Sequence, residues 1–213
     1  MGNFNGVIPS ASQAVSYTSF GSAATIGQGN YNATFTYNNE NQRAKMDITN
    51  SGSSILTRWY AGNSYMKQTA KGITIDYTYI DGDAYSAPVV AETSDGTTNY
   101  YYLLRDNLGS ITHKVSTSKT VIAEYSFDAW GRRRNPTDWS YNLAGQPALF
   151  ADRGFTGHEY LSWFNLYNMN GRMYDPLVGR FLSPDNEIQN PASTQYYKKI
   201  STCKLKQVQG NLN

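Results

Sequence analysis

Ile73-Thr74-Ile75-Asp76-Tyr77-Thr78-Tyr79 alternates without a break between apolar or aromatic residues and polar ones. Side chains of an extended chain point alternately to opposite faces, so Ile73, Ile75, Tyr77 and Tyr79 share one face. Asp81-Gly82-Asp83 stops the run with turn residues. Val121, Ala123, Tyr125 and Phe127 make a second stripe of the same period, ended at Asp128-Ala129-Trp130-Gly131. Between the two, Tyr100 to Arg105 and Ile111 to Val115 flank Asp106-Asn107-Leu108-Gly109-Ser110, which reads as a hairpin connection. Outward from there, turn signals recur roughly every 8–12 residues, the spacing of an antiparallel meander, sandwich or barrel. His158 to Asn165 is the one arguable helical stretch, and its flanks fit a hairpin equally well. The expected fold class is all-β, with antiparallel strands from about Asn30 to Asp185 and little helix.

Composition agrees. Among 213 residues, 18 are Tyr and 12 are Leu, 18 are Gly and only 16% are charged. Aromatic and β-branched side chains suit a pleated surface, whereas helices draw on Leu, Ala, Glu, Lys and Arg. A net charge of +2 makes nucleic acid an unexpected partner. Cys203 is the only cysteine, so neither an internal disulfide nor a CxxC pair exists. Met1 to Val15 lacks a basic segment followed by an apolar one, and no run reaches ~18 apolar residues. Neither a signal peptide nor a membrane span is expected in the chain as written.

A short unit recurs: an aromatic residue, Asp or Asn, two spacers, Gly or Asn, then Arg or Gln. Copies stand at Tyr37-Asn38 with Asn41-Gln42, Phe127-Asp128 with Gly131-Arg132, and Tyr141-Asn142 with Gly145-Gln146. Tyr174-Asp175 with Gly179-Arg180 is one residue longer. Each makes sense as a strand exit: the ring packs, the Asp or Asn holds the turn, Gly takes the positive φ, and Arg starts the next strand facing solvent or the preceding ring. Such units cannot close a core alone and stack with their neighbours, as in a solenoid-like sheet.

Four stretches carry a more specific resemblance: Leu104 to Ile111, with Asp106, Leu108 and Gly109; Tyr125 to Arg133, with Asp128, Gly131 and Arg132; Arg153 to Glu159, with Gly154, Phe155, Gly157, His158 and Glu159; and Asn170 to Asp185, with Arg172, Tyr174, Asp175, Pro176, Gly179, Arg180, Phe181, Pro184 and Asp185. In order and spacing they resemble the Rhs-associated core of YD-repeat proteins. The division that follows is 1–29 as a loose lead-in or partial repeat, 30–99 as divergent repeats, 100–185 as the core, and 186–213 as a weakly ordered tail unlike the family. The resemblance implies a terminal piece of a hollow β-shell whose core plugs one end. It also implies a secreted or cell-surface setting and, as partners, the remainder of the shell or a passenger polypeptide, frequently a toxin. Some such proteins cleave themselves with a pair of aspartates. Relatives continue beyond the Ser-Pro-Asp element with a second Asp-Pro-x-Gly box, whereas Asn186 to Asn213 contains no Asp.

Asp175 and Asp185 are the candidate catalytic pair, since two carboxylates sharing a proton can serve as base and acid. Turn capping beside Pro176 and Pro184 is the alternative for each. His158-Glu159 invites a metal or acid–base role, but with His113 the only other histidine and no HExxH, a structural hydrogen bond is expected, with no cofactor. Asp76, Asp81 and Asp83 lack the EF-hand spacing and read as a hairpin turn. Trp59, Trp130, Trp139 and Trp163 are a candidate glycan platform, against the alternative that rings in a β array pack on one another. No Gly-x-Ser-x-Gly elbow occurs. The expectation is a structural segment, not an enzyme.

Overall fold

The computed structural model describes residues 12–184. Asp185 and the tail 186–213, expected to be weakly ordered, lie outside the described residues. Eleven strands follow in chain order: β1 Gln13–Tyr17, β2 Ala23–Gln28, β3 Tyr31–Tyr37, β4 Arg43–Asn50, β5 Ser53–Ala61, β6 Tyr65–Ala70, β7 Ile73–Ile80, β8 Val89–Ser94, β9 Thr97–Arg105, β10 Ile111–Ser116 and β11 Val121–Glu124. Each pairs antiparallel with the next in one sheet, and β1 and β11 do not meet, so the sheet is open. β1 and β2 fall within residues 1–29, read as a loose lead-in or partial repeat.

One face of this sheet is the core face. Its rows run across the strands: Ile26, Ala33, Ile48 and Leu56 stand opposite one another, as do Phe35, Met46, Arg58 and Gln68, and Tyr79 with Val90. Tyr77 and Tyr79 are buried on this face as their alternation requires. Ile73, expected in the same stripe, is 60% exposed, and Val121 in the second stripe is 54% exposed. Both open their strands directly after a tight turn, beyond the reach of the layer that covers the rest. The second stripe also changes sheets: β11 ends at Glu124, and Ser126–Phe127 forms β12, paired with β13 at Arg133–Arg134.

The covering layer comes from the C-terminal third. β14 Glu159–Leu161, β15 Leu166–Met169, β16 Arg172–Asp175 and β17 Arg180–Phe181 form a four-stranded antiparallel sheet. The stretch His158 to Asn165 is thus a hairpin and not a helix. Leu161, Phe164, Leu166 and Met173 pack on Ile26, Phe35, Met46, Ile48 and Leu56, in the N-terminal half of the large sheet. Leu149, Phe150 and Ala151 pack on Met66, Tyr77, Tyr79, Val90 and Leu103 in its other half.

Among the described residues one five-residue turn is used six times, at Thr18 to Ser22, Asn38 to Gln42, Asp106 to Ser110, Ser116 to Thr120, Asp128 to Arg132 and Gly154 to His158. In each, the first N–H donates to the fifth carbonyl, and the fourth N–H donates to the first carbonyl. The fourth residue has positive φ every time. In all but the Gly154 copy the first side chain accepts the fifth N–H, which satisfies a donor that the turn would otherwise orphan. The sequence unit found two of these. Its Tyr141 copy is no strand exit, because Pro136 and Pro147 bracket that segment and remove backbone donors. Its Tyr174 copy is a different turn, in which Asp175 accepts from the N–H of Leu177 and Val178.

Candidate functional site

The four motif stretches, far apart in sequence, converge. The Gly154 to His158 turn lies at their centre. The Ile111 N–H donates to the Gly154 carbonyl at 3.2 Å, and the Thr156 N–H donates to Ser110 Oγ at 3.0 Å. Phe127 and Phe155 sit 6.2 Å apart, centroid to centroid. Each ring presses on a glycine of the other stretch. A Cβ on Gly131 would lie 2.6 Å from Phe155 Cγ, and one on Gly154 would lie 2.7 Å from Phe127 Cζ. Two tyrosines of the small sheet close the arrangement, with Tyr167 Oη donating to the Gly131 carbonyl and Tyr174 Oη to that of Trp130.

The other motif residues are local. Asp106 Oδ1 accepts from the N–H of Leu108 and Ser110, Gly109 supplies the positive φ, and Leu108 is exposed. Asp128 does the same for Trp130 and Arg132, and the Arg132 guanidinium stacks 3.6 Å from the centre of the Tyr141 ring. Arg172 lies over Phe181 at 3.8 Å, Asp175 and Arg180 are cross-strand partners, and Gly179 lies under the Trp130 ring. Pro176 follows Asp175 in the turn, and Pro184 is exposed. With Asp185 outside the described residues, no geometry links it to Asp175. Trp130 and Trp139 are largely exposed, Trp59 stands beside Lys45 on β5, and Trp163 packs on the core. Asp83 accepts from the Tyr85 N–H and Ser86 Oγ, while Asp76 receives the Tyr65 hydroxyl, so these two carboxylates have separate partners. Among the described residues, no three His, Cys, Asp or Glu side chains converge as metal ligands, and no helix is long and apolar enough to cross a membrane.

Beside the motif knot lies a charged seam between the two apolar clusters. Glu159, 0% exposed in its side chain, faces Arg43 Nη2 at 2.7 Å, Arg153 Nη2 at 3.4 Å and Arg58 Nη1 at 3.7 Å, and accepts from Tyr60 Oη at 2.9 Å. Arg58 also reaches Asp152 at 2.6 Å and Gln68 Oε1. Burial alone would push the Glu159 carboxyl up, but Arg43, Arg153 and Arg58 outweigh it and bring it down to about 2. Burial works against the charged form of Arg58 too, and Asp152 and Glu159 more than reverse it. His158, next to the seam, is held down at about 4 by burial and then by Arg153, so it is neutral at pH 7. Its Nδ1 lies 2.8 Å from Thr156 Oγ1, the structural hydrogen bond expected of it.

The motif reading singled out Glu159 but not its partners. Arg43 comes directly after the Asn38 turn copy, whose last position is Gln42, and it stacks on Tyr60 at 4.3 Å with its side chain 89% buried. Arg58 falls in phase with Leu56 and Tyr60 on the core face of β5. A cation in an apolar phase was the available signal.

No family model matches the chain. It is 28% identical over 157 residues to the tRNA3(Ser)-specific nuclease WapA of Bacillus spizizenii, and 29% identical over 157 residues to the tRNA nuclease WapA of Bacillus subtilis. Each alignment takes in 72% of this chain and 6% of the relative. The fold is similar to that of TcdB2-TccC3, with a TM-score of 0.60 at 17% identity, and to the Tc holotoxin pore of Photorhabdus luminescens, with 0.62 at 18%. Those matches cover 85% of this chain and 9% of the larger ones. The sequence likenesses support an Rhs/YD-type relationship, and the structural ones, at 17% and 18% identity, show a shared β fold.

Proposed function

We propose that the chain is a structural segment of an Rhs/YD-type shell: β1 to β11 serve as its wall, so the divergent repeats of 30–99 continue into the first strands of the 100–185 core, and the remainder of that core covers the core face of the sheet. In longer relatives such a segment would enclose and present a C-terminal toxin or effector, in a secreted or cell-surface setting. Its partners would be the remainder of the shell or a passenger polypeptide. The observation that carries this reading is the convergence of the four motif stretches into a packed knot. Among the described residues, Gly131, Gly154, Phe127 and Phe155 are occupied by one another and Asp106, Asp128 and Asp175 by their own turns, as suits residues with an architectural role. The open sheet suits a wall, since among the described residues the outer strands β1 and β11 are paired on one side only, and further strands could pair with the other.

The purified chain, incubated between pH 4 and 8 with and without total tRNA, tests the reading. A structural segment leaves both itself and the tRNA intact. Cleaved tRNA, or a discrete fragment lost in Asp175→Asn or Asp185→Asn, would replace the shell reading with a catalytic one. Sedimentation adds a positive arm: the chain should self-associate through β1, and Ala14→Lys with Ser16→Lys should suppress this.

A further inference from the structure

Next to the charged seam is a cavity of about 310 Å³, bounded by the Asn38 turn, β5, β7 and the Asn170 turn. Its wall includes Arg43 and Arg153 together with Tyr60, Tyr79 and Tyr85, and several neutral amides such as Asn63. Among the described residues, no Asp or Glu lines it. Arg43 Nη1 and Arg153 Nε are buried and have no hydrogen-bond partner, and the Arg153 side chain is only 4% exposed.

The nearest carboxylate has no capacity to spare. Glu159 Oε2 is engaged by Arg43 and Tyr60, and Oε1 by Arg153 and Arg58. Asp152 is spent on Arg58. Three guanidiniums therefore share two carboxylates; a fourth, Arg105, feels the charge of Arg153 and, less strongly, that of Asp83. An unmatched cation taken out of water is strongly unfavourable unless an anion meets it. The guanidinium fork suits planar and tetrahedral oxyanions alike.

We propose that this cavity is a binding site for a small oxyanion, a carboxylate or phosphate group held between Arg43 and Arg153. The volume is at the small end for ligand sites and limits the guest to the size of a phosphate monoester or a short dicarboxylate. The same chemistry has two sources, a free small molecule or an acidic side chain of a polypeptide. The inference is independent of the shell reading.

The test is thermal unfolding of the full chain, with isothermal titration, in chloride buffer at matched ionic strength. Inorganic phosphate, succinate and N-acetyl-aspartyl-amide are added separately. An anion present at about a hundredfold excess over its Kd should raise the midpoint by roughly 5–10 °C, with one-to-one stoichiometry. Arg43→Gln should abolish the shift. Because that change also touches Glu159, Asn63→Asp provides a second arm, placing a carboxylate on the cavity wall away from the seam; it should weaken binding at least about tenfold by like-charge repulsion. Binding of phosphate or succinate identifies a free anion as the guest, and binding of the aspartyl amide alone identifies a polypeptide side chain. A wild-type chain that none of the three stabilises beyond chloride, or a shift that persists unchanged in both variants, overturns the proposal.

Discussion

Glu159→Gln removes the one carboxylate shared by three buried arginines. The replacement is nearly isosteric, so packing is kept, but an amide nitrogen or a neutral oxygen now faces Arg43, Arg58 and Arg153 where full negative charge stood at 2.7, 3.7 and 3.4 Å. Breaking a buried pair by removing one partner costs about 3–5 kcal/mol, mostly from the charge left uncompensated. In a domain of this size each kcal/mol shifts the thermal midpoint by about 2–4 °C, so a fall of roughly 6–20 °C is expected. Urea unfolding followed by circular dichroism should show the midpoint moving with an unchanged slope. The control is Lys67→Met, which breaks an ion pair with Asp76 whose side chains are 43% and 33% exposed and should cost less than about 1 kcal/mol. If Glu159→Gln costs no more than Lys67→Met, the seam does not hold the covering layer to the sheet and the reasoning fails.

Stability should also fall with acid in two stages. His158 is held at about 4, so between about pH 6.5 and 4 the unfolded chain binds a proton that the native one refuses; roughly 2–3 kcal/mol is lost there, and His158→Gln should flatten that limb of a pH–stability curve. Glu159, held at about 2, contributes stability that is fully present above about pH 4.5 and is lost as pH falls towards 2, a limb that Glu159→Gln should lack. Gly131→Ala combines a φ of 84° with a clash against Phe155 and should cost about 2–4 kcal/mol by denaturant unfolding. Gly145→Ala, at φ 76° with nothing within 4 Å, should cost about 1. Lys119→Gly relieves a side chain at φ 66° and should raise stability by about 0.5 kcal/mol, which a small upward shift in midpoint would show.

Strands were legible because alternation is a local property: Tyr77 and Tyr79 face the core for the reason their spacing gives. The ends of the stripes were not, since the exposure of Ile73 and Val121 depends on how far the covering layer extends, and nothing near them in sequence records that. The turn motif was legible where an aromatic residue and an Asp or Asn announced it. The copies at Thr18, Ser116 and Gly154 were hidden because hydroxyl residues, or no side chain at all, fill the first position. Tertiary context set the rest of the site. Arg58 shows in the sequence as a cation in an apolar phase, but nothing near it names Glu159 and Asp152, which arrive opposite it only in the folded chain.

The order of the large sheet has a kinetic consequence. Every strand from β2 to β11 pairs with the one made just before it, and each self-capped turn fixes its own register. Loop-closure entropy is therefore paid in small local instalments, so the wall can zip up vectorially, in step with emergence from a ribosome or an export channel. The Arg43–Glu159 and Arg58–Asp152 contacts behave differently, because each joins an early wall strand to the covering layer, the second across 94 residues, and can form only after the wall exists. They act as a latch, set last.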